Sequence, residues 1–207
     1  MRRVVITGIG AVTPIGNSVA AFHEGLQAGR SGACPITHFD ASLFKTHFAC
    51  ELKDFDPEVA MDKKEARRMD LFCQYAMVAV AEAMTSSGLD LEKINKDRAG
   101  VIWASGIGGL VSLEKEIETF AQGSGTPRYS PFLIPRMITD IAAGHISIQY
   151  GFRGVNYATV SACASSNHAM INAMDYIRMG RADLIITGGS EAAVHPHPVC
   201  GGSRLLG

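Results

Sequence analysis

Four short apolar runs, at residues 4–9, 100–104, 155–161 and 183–187, constrain the fold more than any other feature of this chain. They are nearly continuous rather than alternating, the pattern of strands covered on both faces. Helical sequence separates each run from the next. Asn17 or Ser18 can cap a helix running to about residue 28, and Gly29 follows as a stop. A longer segment, 62 to about 87, opens with KKEARRMD and ends at Gly88. Its apolar positions Met69, Phe72, Cys73, Ala76, Val80, Ala83 and Met84 keep the i, i+3, i+4 spacing, while Leu71, Tyr75 and Met77 fill the other side. That pattern predicts one helix, charged at its start and buried on nearly all faces later. Two further helices are expected over about 135–150 and 163–179. Strands interleaved with helices predict an α/β layered domain, its sheet mostly parallel and its helices on both faces.

Composition narrows the function classes. Charged residues make up 19% of the 207 residues, below the usual ~25%, so part of the surface is expected to be covered. The net charge of −1 provides no global field for nucleic acid. No stretch approaches the ~20 apolar residues of a membrane span. Arg2 and Arg3 precede nineteen uncharged residues, but Thr7, Gly8, Gly10, Thr13, Pro14, Gly16 and Asn17 interrupt them, so the run is not read as a secretory leader. Five cysteines, odd in number and without a C-x-x-C pair, argue against a disulfide framework or a zinc site and for a reducing, cytoplasmic setting. The 22 glycines exceed an average usage of about 7% and should mark tight turns or close backbone approaches.

The glycine-rich strand ends invite a nucleotide reading that fails on inspection. Gly8-Ile-Gly10 and Gly106-Ile-Gly108 begin like the dinucleotide fingerprint, but Thr13 and Val111 stand where its third glycine belongs. Neither a P-loop nor a G-x-S-x-G elbow occurs. His195 and His197 have metal-like spacing, yet two prolines and no further ligand make them a solvent-facing loop, and no metal or cofactor is expected. The segment 155–180, VNYATVSACASSNHAMINAMDYIRMG, is different. A β-type run meets a helix at a join built almost wholly of small residues, which places Cys163 at a first helical turn. The unpaired N–H groups and positive dipole there favour a thiolate and can receive an oxyanion as a carbonyl is attacked. The other four cysteines do not begin a helix after a strand. His168 lies about 140° around the helix from Cys163 and is expected at the surface or in packing. His145 reads as a buried structural histidine.

Beyond these local readings, RRVVITGIGAVTPIGN at the start, KKEARRMD, SGIGG at 105–109, SPFLIP at 130–135, YGFRG at 150–154, SACASS at 161–166 and ITGGSEAA at 186–193 occur in the order and spacing of a known family. Together they resemble the elongating β-ketoacyl-acyl carrier protein synthases of fatty-acid synthesis, the type II members most closely. The resemblance implies the N-terminal half of a thiolase-like layered α/β fold over residues 1–193, with the second half supplying two catalytic histidines, a lysine and a phenylalanine-bearing oxyanion loop. It implies Cys163 as the nucleophile that takes the acyl chain, its own N–H in the oxyanion hole. Ile107 and Ile134 are implied as acyl-pocket residues, the latter reaching a partner subunit's pocket. Lys64, Arg67 and Arg68 are implied as the receiving face for the acidic acyl carrier protein, and i, i+3, i+4 spacing would put them on one helical face. A homodimer is implied as well. At 194–207 the pattern departs: the family's gating phenylalanine falls at Gly202, so this stretch is read as a divergent or truncated terminus. Polyketide ketosynthases are the nearest rivals, often with T-A-C-S-S-S where this chain has SACASS. Non-catalytic chain-length-factor subunits usually replace the cysteine, which here is intact.

Overall fold

The computed structural model describes residues 2–123 and 129–196. In chain order its main elements are α1 (Val19–Gln27), β1 (Cys34–Pro35), β2 (Phe48–Ala49), α2 (Lys63–Ala66), α3 (Leu71–Ser87), β3 (Ala99–Ala104), α4 (Leu110–Gln122), α5 (Leu133–Met137), α6 (Ile141–Tyr150), β4 (Asn156–Tyr157), α7 (Ser165–Arg178) and β5 (Leu184–Gly189). β1 and β2 form a small antiparallel pair. The principal sheet has the order β4-β3-β5, and both pairings are parallel.

β3 is the middle strand, and all six of its residues are buried, as its continuous apolar run requires. Its side chains alternate between two cores. Val101 and Trp103 pack with Phe72, Cys73, Ala76 and Val80 of α3 and with Ala142, Ala143 and Ile146 of α6. Ile102 and Ala104 pack on the opposite face with Ala169 and Ala173 of α7. Phe72 and Ile146 are fully buried, each contributing about 1.5–3 kcal/mol by removal from water. The expected α/β layering, with a parallel sheet and helices on both faces, is therefore present. α1 also follows expectation: Ser18 accepts from the Ala21 N–H as its cap, and Gly29 beyond its end adopts the left-handed φ of 62°. Among the described residues no helix is long and apolar enough to cross a membrane.

Three expectations need correction. The single helix over 62–87 is two. Asp62 opens α2 with a capping box to Glu65, and Asp70 opens α3 by accepting from the Phe72 N–H, so Arg67 and Arg68 lie in the turn between two helix starts. The helix over 135–150 is also two, α5 and α6, parted at Ile138, whose ψ of 139° is extended. There the Met137 carbonyl accepts the Gly109 N–H at 3.1 Å instead of serving a continuing helix. Finally, the run 4–9 forms no strand among the described residues, and Val5, Ile6 and Ile9 are exposed. An apolar run pairs only if another strand lies beside it, and here α3 takes the neighbouring backbone groups. The Ile9 N–H donates to Ser86 Oγ at 3.1 Å and the Ala11 N–H to Glu82 Oε2 at 2.9 Å. A Cβ on Gly10 would stand 1.8 Å from the Ala79 carbonyl oxygen, so only glycine permits this approach.

Candidate active site

β4 pairs over only two residues, Asn156 and Tyr157, and the chain then turns at 161–164 into α7. Cys163 sits in a 3-10 turn, Ala162–Ala164, directly ahead of α7 rather than within its first turn. It is exposed. Ala162 holds a φ of 49°, a left-handed conformation that costs a residue with a Cβ about 1–2 kcal/mol. Ser165 fixes this turn from inside: buried to 4% exposure, its hydroxyl donates to the Ala162 carbonyl at 2.6 Å and accepts the Ser161 N–H at 2.8 Å. Thr159 Oγ1 donates to the Ser165 carbonyl at 2.8 Å. His168 is exposed on α7, and its Nδ1 lies 2.6 Å from Ser161 Oγ. The turn lies at the carboxyl ends of β3 and β5: a Cβ on Gly189 would meet Ser166 Oγ at 2.2 Å and the Ala104 carbonyl oxygen at 3.0 Å. That edge is where parallel α/β sheets ordinarily bind ligands.

The loop 105–109, which carries Ile107, leaves the same edge. Gly106 lies against the cysteine turn, since its Cβ would be 3.9 Å from Ala162 Cα. Ile107 is 47% exposed. Glu191, just beyond β5, holds this loop: Oε2 accepts the N–H groups of Gly106 at 2.6 Å and Ile107 at 3.1 Å, and Oε1 accepts the Ser105 hydroxyl at 3.2 Å. Ser105 Oγ in turn accepts the Gly108 N–H at 3.0 Å. On its other side the loop meets α5, whose Ile134 is 58% exposed. The structure thus brings Cys163 and the Ile107 loop together and sets Ile134 on the next helix.

Lys64, Arg67 and Arg68 are exposed but do not share one helical face, because α2 ends at Ala66. The turn that carries Arg67 and Arg68 is held by a residue the sequence did not single out. The Arg136 guanidinium on α5 donates to the carbonyls of both Arg67 and Arg68, the latter at 3.3 Å, and Arg68 lies over the Phe132 ring at 5.5 Å from its centroid. Buried Asp70 ties the start of α3 to α4: beyond capping α3, its Oδ2 accepts the hydroxyl of Ser112 in α4 at 2.6 Å.

The remaining candidates fall elsewhere. Cys73 is buried, and burial with nearby Asp70 pushes its thiol far up from its usual range. His145 is half-buried, and desolvation lowers its pKa despite the opposing pull of Glu65. His195 departs from expectation. It is not a solvent-facing loop residue, because its Nδ1 lies 2.5 Å from Glu114 Oε2 on α4 and its side chain is largely covered. His197, Cys200 and Gly202 lie outside the described residues. Among the described residues no group of three or more His, Cys, Asp or Glu is placed to hold a metal ion.

Comparison with known proteins agrees with this geometry. Residues 1–206 match the family model for the N-terminal domain of β-ketoacyl synthases. The chain is 44% identical to 3-oxoacyl-[acyl-carrier-protein] synthase 2 of Synechocystis sp., covering 94% of this chain and 47% of that protein. It is 44% identical to the same-named protein of Staphylococcus aureus (strain COL), covering 99% and 50%. Among solved structures, the ishigamide ketosynthase/chain length factor superposes with a TM-score of 0.89 at 30% identity, covering 99% of this chain and 51% of that one. A β-ketoacyl synthase from Burkholderia phymatum superposes with a TM-score of 0.81 at 29% identity, covering 95% and 48%. The chain spans about half the length of the curated relatives it matches. With a parallel-sheet edge presenting an exposed cysteine beside an apolar loop, this chain belongs to the β-ketoacyl synthase family and corresponds to its N-terminal domain.

Proposed function

We propose that this chain is the nucleophile-bearing half of a 3-oxoacyl-[acyl-carrier-protein] synthase of fatty-acid synthesis. The observation that carries the reading is the exposed Cys163 on a left-handed turn, pinned by Ser165 at the carboxyl edge of the sheet, in a chain 44% identical to proteins of that name. In the first step Cys163 Sγ attacks the acyl thioester of the carrier protein. The new Sγ–C bond forms as the bond to the carrier's thiol breaks, and that thiol leaves with the proton. Malonyl-carrier protein then loses carbon dioxide, and its α-carbon attacks the acyl-enzyme; the new C–C bond forms as the Sγ–C bond breaks and Cys163 leaves as a thiolate. Groups for this second step belong to the half that the longer relatives carry.

Ile107 and Ile134 line the acyl pocket in this reading, and their exposure in this half supports a place for the chain or for a second subunit. Lys64, with Arg67 and Arg68 on the turn held by Arg136, receives the acidic carrier protein. A homodimer and the remaining half would cover exposed apolar residues such as Ile6, and unpaired cysteines support a cytoplasmic setting. Intact mass after incubation with an acyl thioester tests the reading: one acyl adduct is expected in the complete enzyme and none in Cys163→Ala. An adduct that persists in Cys163→Ala would overturn it.

A second reading, a polyketide ketosynthase, is favoured by the superposition on the ishigamide ketosynthase/chain length factor. Product analysis with malonyl-carrier protein separates the two, because the fatty-acid enzyme releases its product after one two-carbon extension while a polyketide enzyme keeps extending.

A further inference from the structure

We propose that Glu191 is a positioning residue for acyl-chain selection, acting through the loop that carries Ile107. This rests on the acyl-enzyme reading above and deepens it. The Glu191 carboxylate receives two consecutive backbone N–H groups, from Gly106 and Ile107, together with the Ser105 hydroxyl, which itself holds the Gly108 N–H. Consecutive N–H groups converging on one anion form a nest, and here the anion is a side chain of the protein itself. Every residue from Ser105 to Gly108 is thereby tied, directly or through one hydroxyl, to a single carboxylate. Charge-assisted bonds of this kind hold geometry more tightly than neutral ones.

Two further contacts turn that hold into a position. Gly106 is pressed between Glu191 and the cysteine turn, since a Cβ there would lie 2.8 Å from Glu191 Oε2 and 3.9 Å from Ala162 Cα. Beyond Ile107, Gly108 adopts a φ of 69°, and Gly109 donates to the Met137 carbonyl. The loop therefore has fixed ends, and Glu191 sets what lies between them: the height of Ile107 above the edge that bears Cys163. A short acyl chain does not reach a residue displaced along the pocket, whereas a long one must pass it. Loosening the nest should accordingly change selectivity by length rather than reactivity in general.

The test compares kcat/KM for hexanoyl and dodecanoyl thioesters in the complete enzyme. Glu191→Ala is expected to shift the dodecanoyl-to-hexanoyl ratio by about fivefold or more, with the hexanoyl value held within about twofold, as a misplaced pocket wall would act. Glu191→Gln keeps an acceptor for the two N–H groups and should restore the ratio to within about twofold of the parent. In an Ile107→Ala background the same change should leave the ratio alone, because the residue being positioned is gone. If Glu191→Ala does not fold, Ser105→Ala removes one support and should shift the ratio in the same sense. A uniform fall at both lengths, or an unchanged ratio in variants that fold, overturns the proposal. Cys163→Ala controls keep the failures apart: an adduct in that variant refutes the acyl-enzyme reading, while a Cys163-dependent adduct with an unmoved ratio refutes only the role of Glu191.

Discussion

The hydroxyl of Ser165 donates to the carbonyl of Ala162 over 2.6 Å, across the turn that carries Cys163. Because the same oxygen accepts the Ser161 N–H, one buried atom closes the left-handed turn from both sides. Ser165→Ala leaves that N–H and carbonyl without their partner at a part-buried site, which costs about 1 kcal/mol. The turn would then relax toward an ordinary φ at Ala162 and carry Sγ away from its line of attack. The expected outcome is a fall in the rate of Cys163 acylation of about 10–100-fold in protein that remains folded. Stopped-time intact-mass measurements check it, and an unchanged rate would show that the clamp has no part in aiming the thiol.

His145 supplies a pH dependence. Its ring is half-buried on α6, its Nε2 has no hydrogen-bond partner among the described residues, and burial lowers its pKa below the ordinary 6.5 although Glu65 pulls the other way. The unfolded chain therefore binds this proton at higher pH than the folded one. Stability tied to His145 is complete above about pH 6.5 and declines as pH falls toward the lowered folded value, by at most about 1.4 kcal/mol per pH unit for one proton. Urea midpoints at pH 7.5 and 5.5 should differ in the parent and differ less in His145→Gln. Equal pH sensitivity in both proteins would remove His145 as the source.

The close approach of the N-terminal segment to α3 makes a steric prediction. Gly10→Ala would place Cβ 1.8 Å from the Ala79 carbonyl oxygen, backbone against backbone, so one segment must move. Overpacking of this kind costs about 1–3 kcal/mol or more. The hydrogen bond from Ala11 to Glu82 moves with it. A drop in Tm of roughly 4–10 °C is expected for a chain of this size, and thermal unfolding followed by circular dichroism measures it.

Local signals were legible where they were sufficient in themselves. The run of β3 predicted a strand buried on both faces, Ser18 and Gly29 bounded α1, and the small-residue join predicted the strand-to-helix turn in which Cys163 sits. What escaped the sequence was decided by partners far along the chain. The breaks at 67–70 and 138–140 interrupt residues that continue a helical pattern, and beside the local Asp70 cap they are held by groups from far along the chain. Arg136 reaches the Arg67 and Arg68 carbonyls, and Gly109 reaches that of Met137. Glu191 reads as one more acidic residue after a strand until the fold sets it against N–H groups some 85 positions earlier. The run 4–9 carries the composition of a strand, but composition does not say whether a neighbouring strand is present to pair with it.

The cationic patch yields the last prediction. Arg67 and Arg68 occupy a turn rather than a helix face, yet both side chains remain exposed, and their backbone carbonyls are held by a third cation, Arg136. On a molecule of net charge −1, such clustering makes a local positive field that steers an acidic partner at low salt and is screened beyond roughly 8–10 Å at physiological ionic strength. Reversing both residues to Glu in the complete enzyme should raise the KM for acyl carrier protein by about tenfold or more and flatten its dependence on salt. Arg136→Gln should act more weakly and in the same direction, since it frees the turn but leaves Arg67 and Arg68 in place. The decisive measurement is the slope of log kcat/KM against log salt concentration. A reversed pair with the parent's slope and KM would mean that the carrier protein docks on another face.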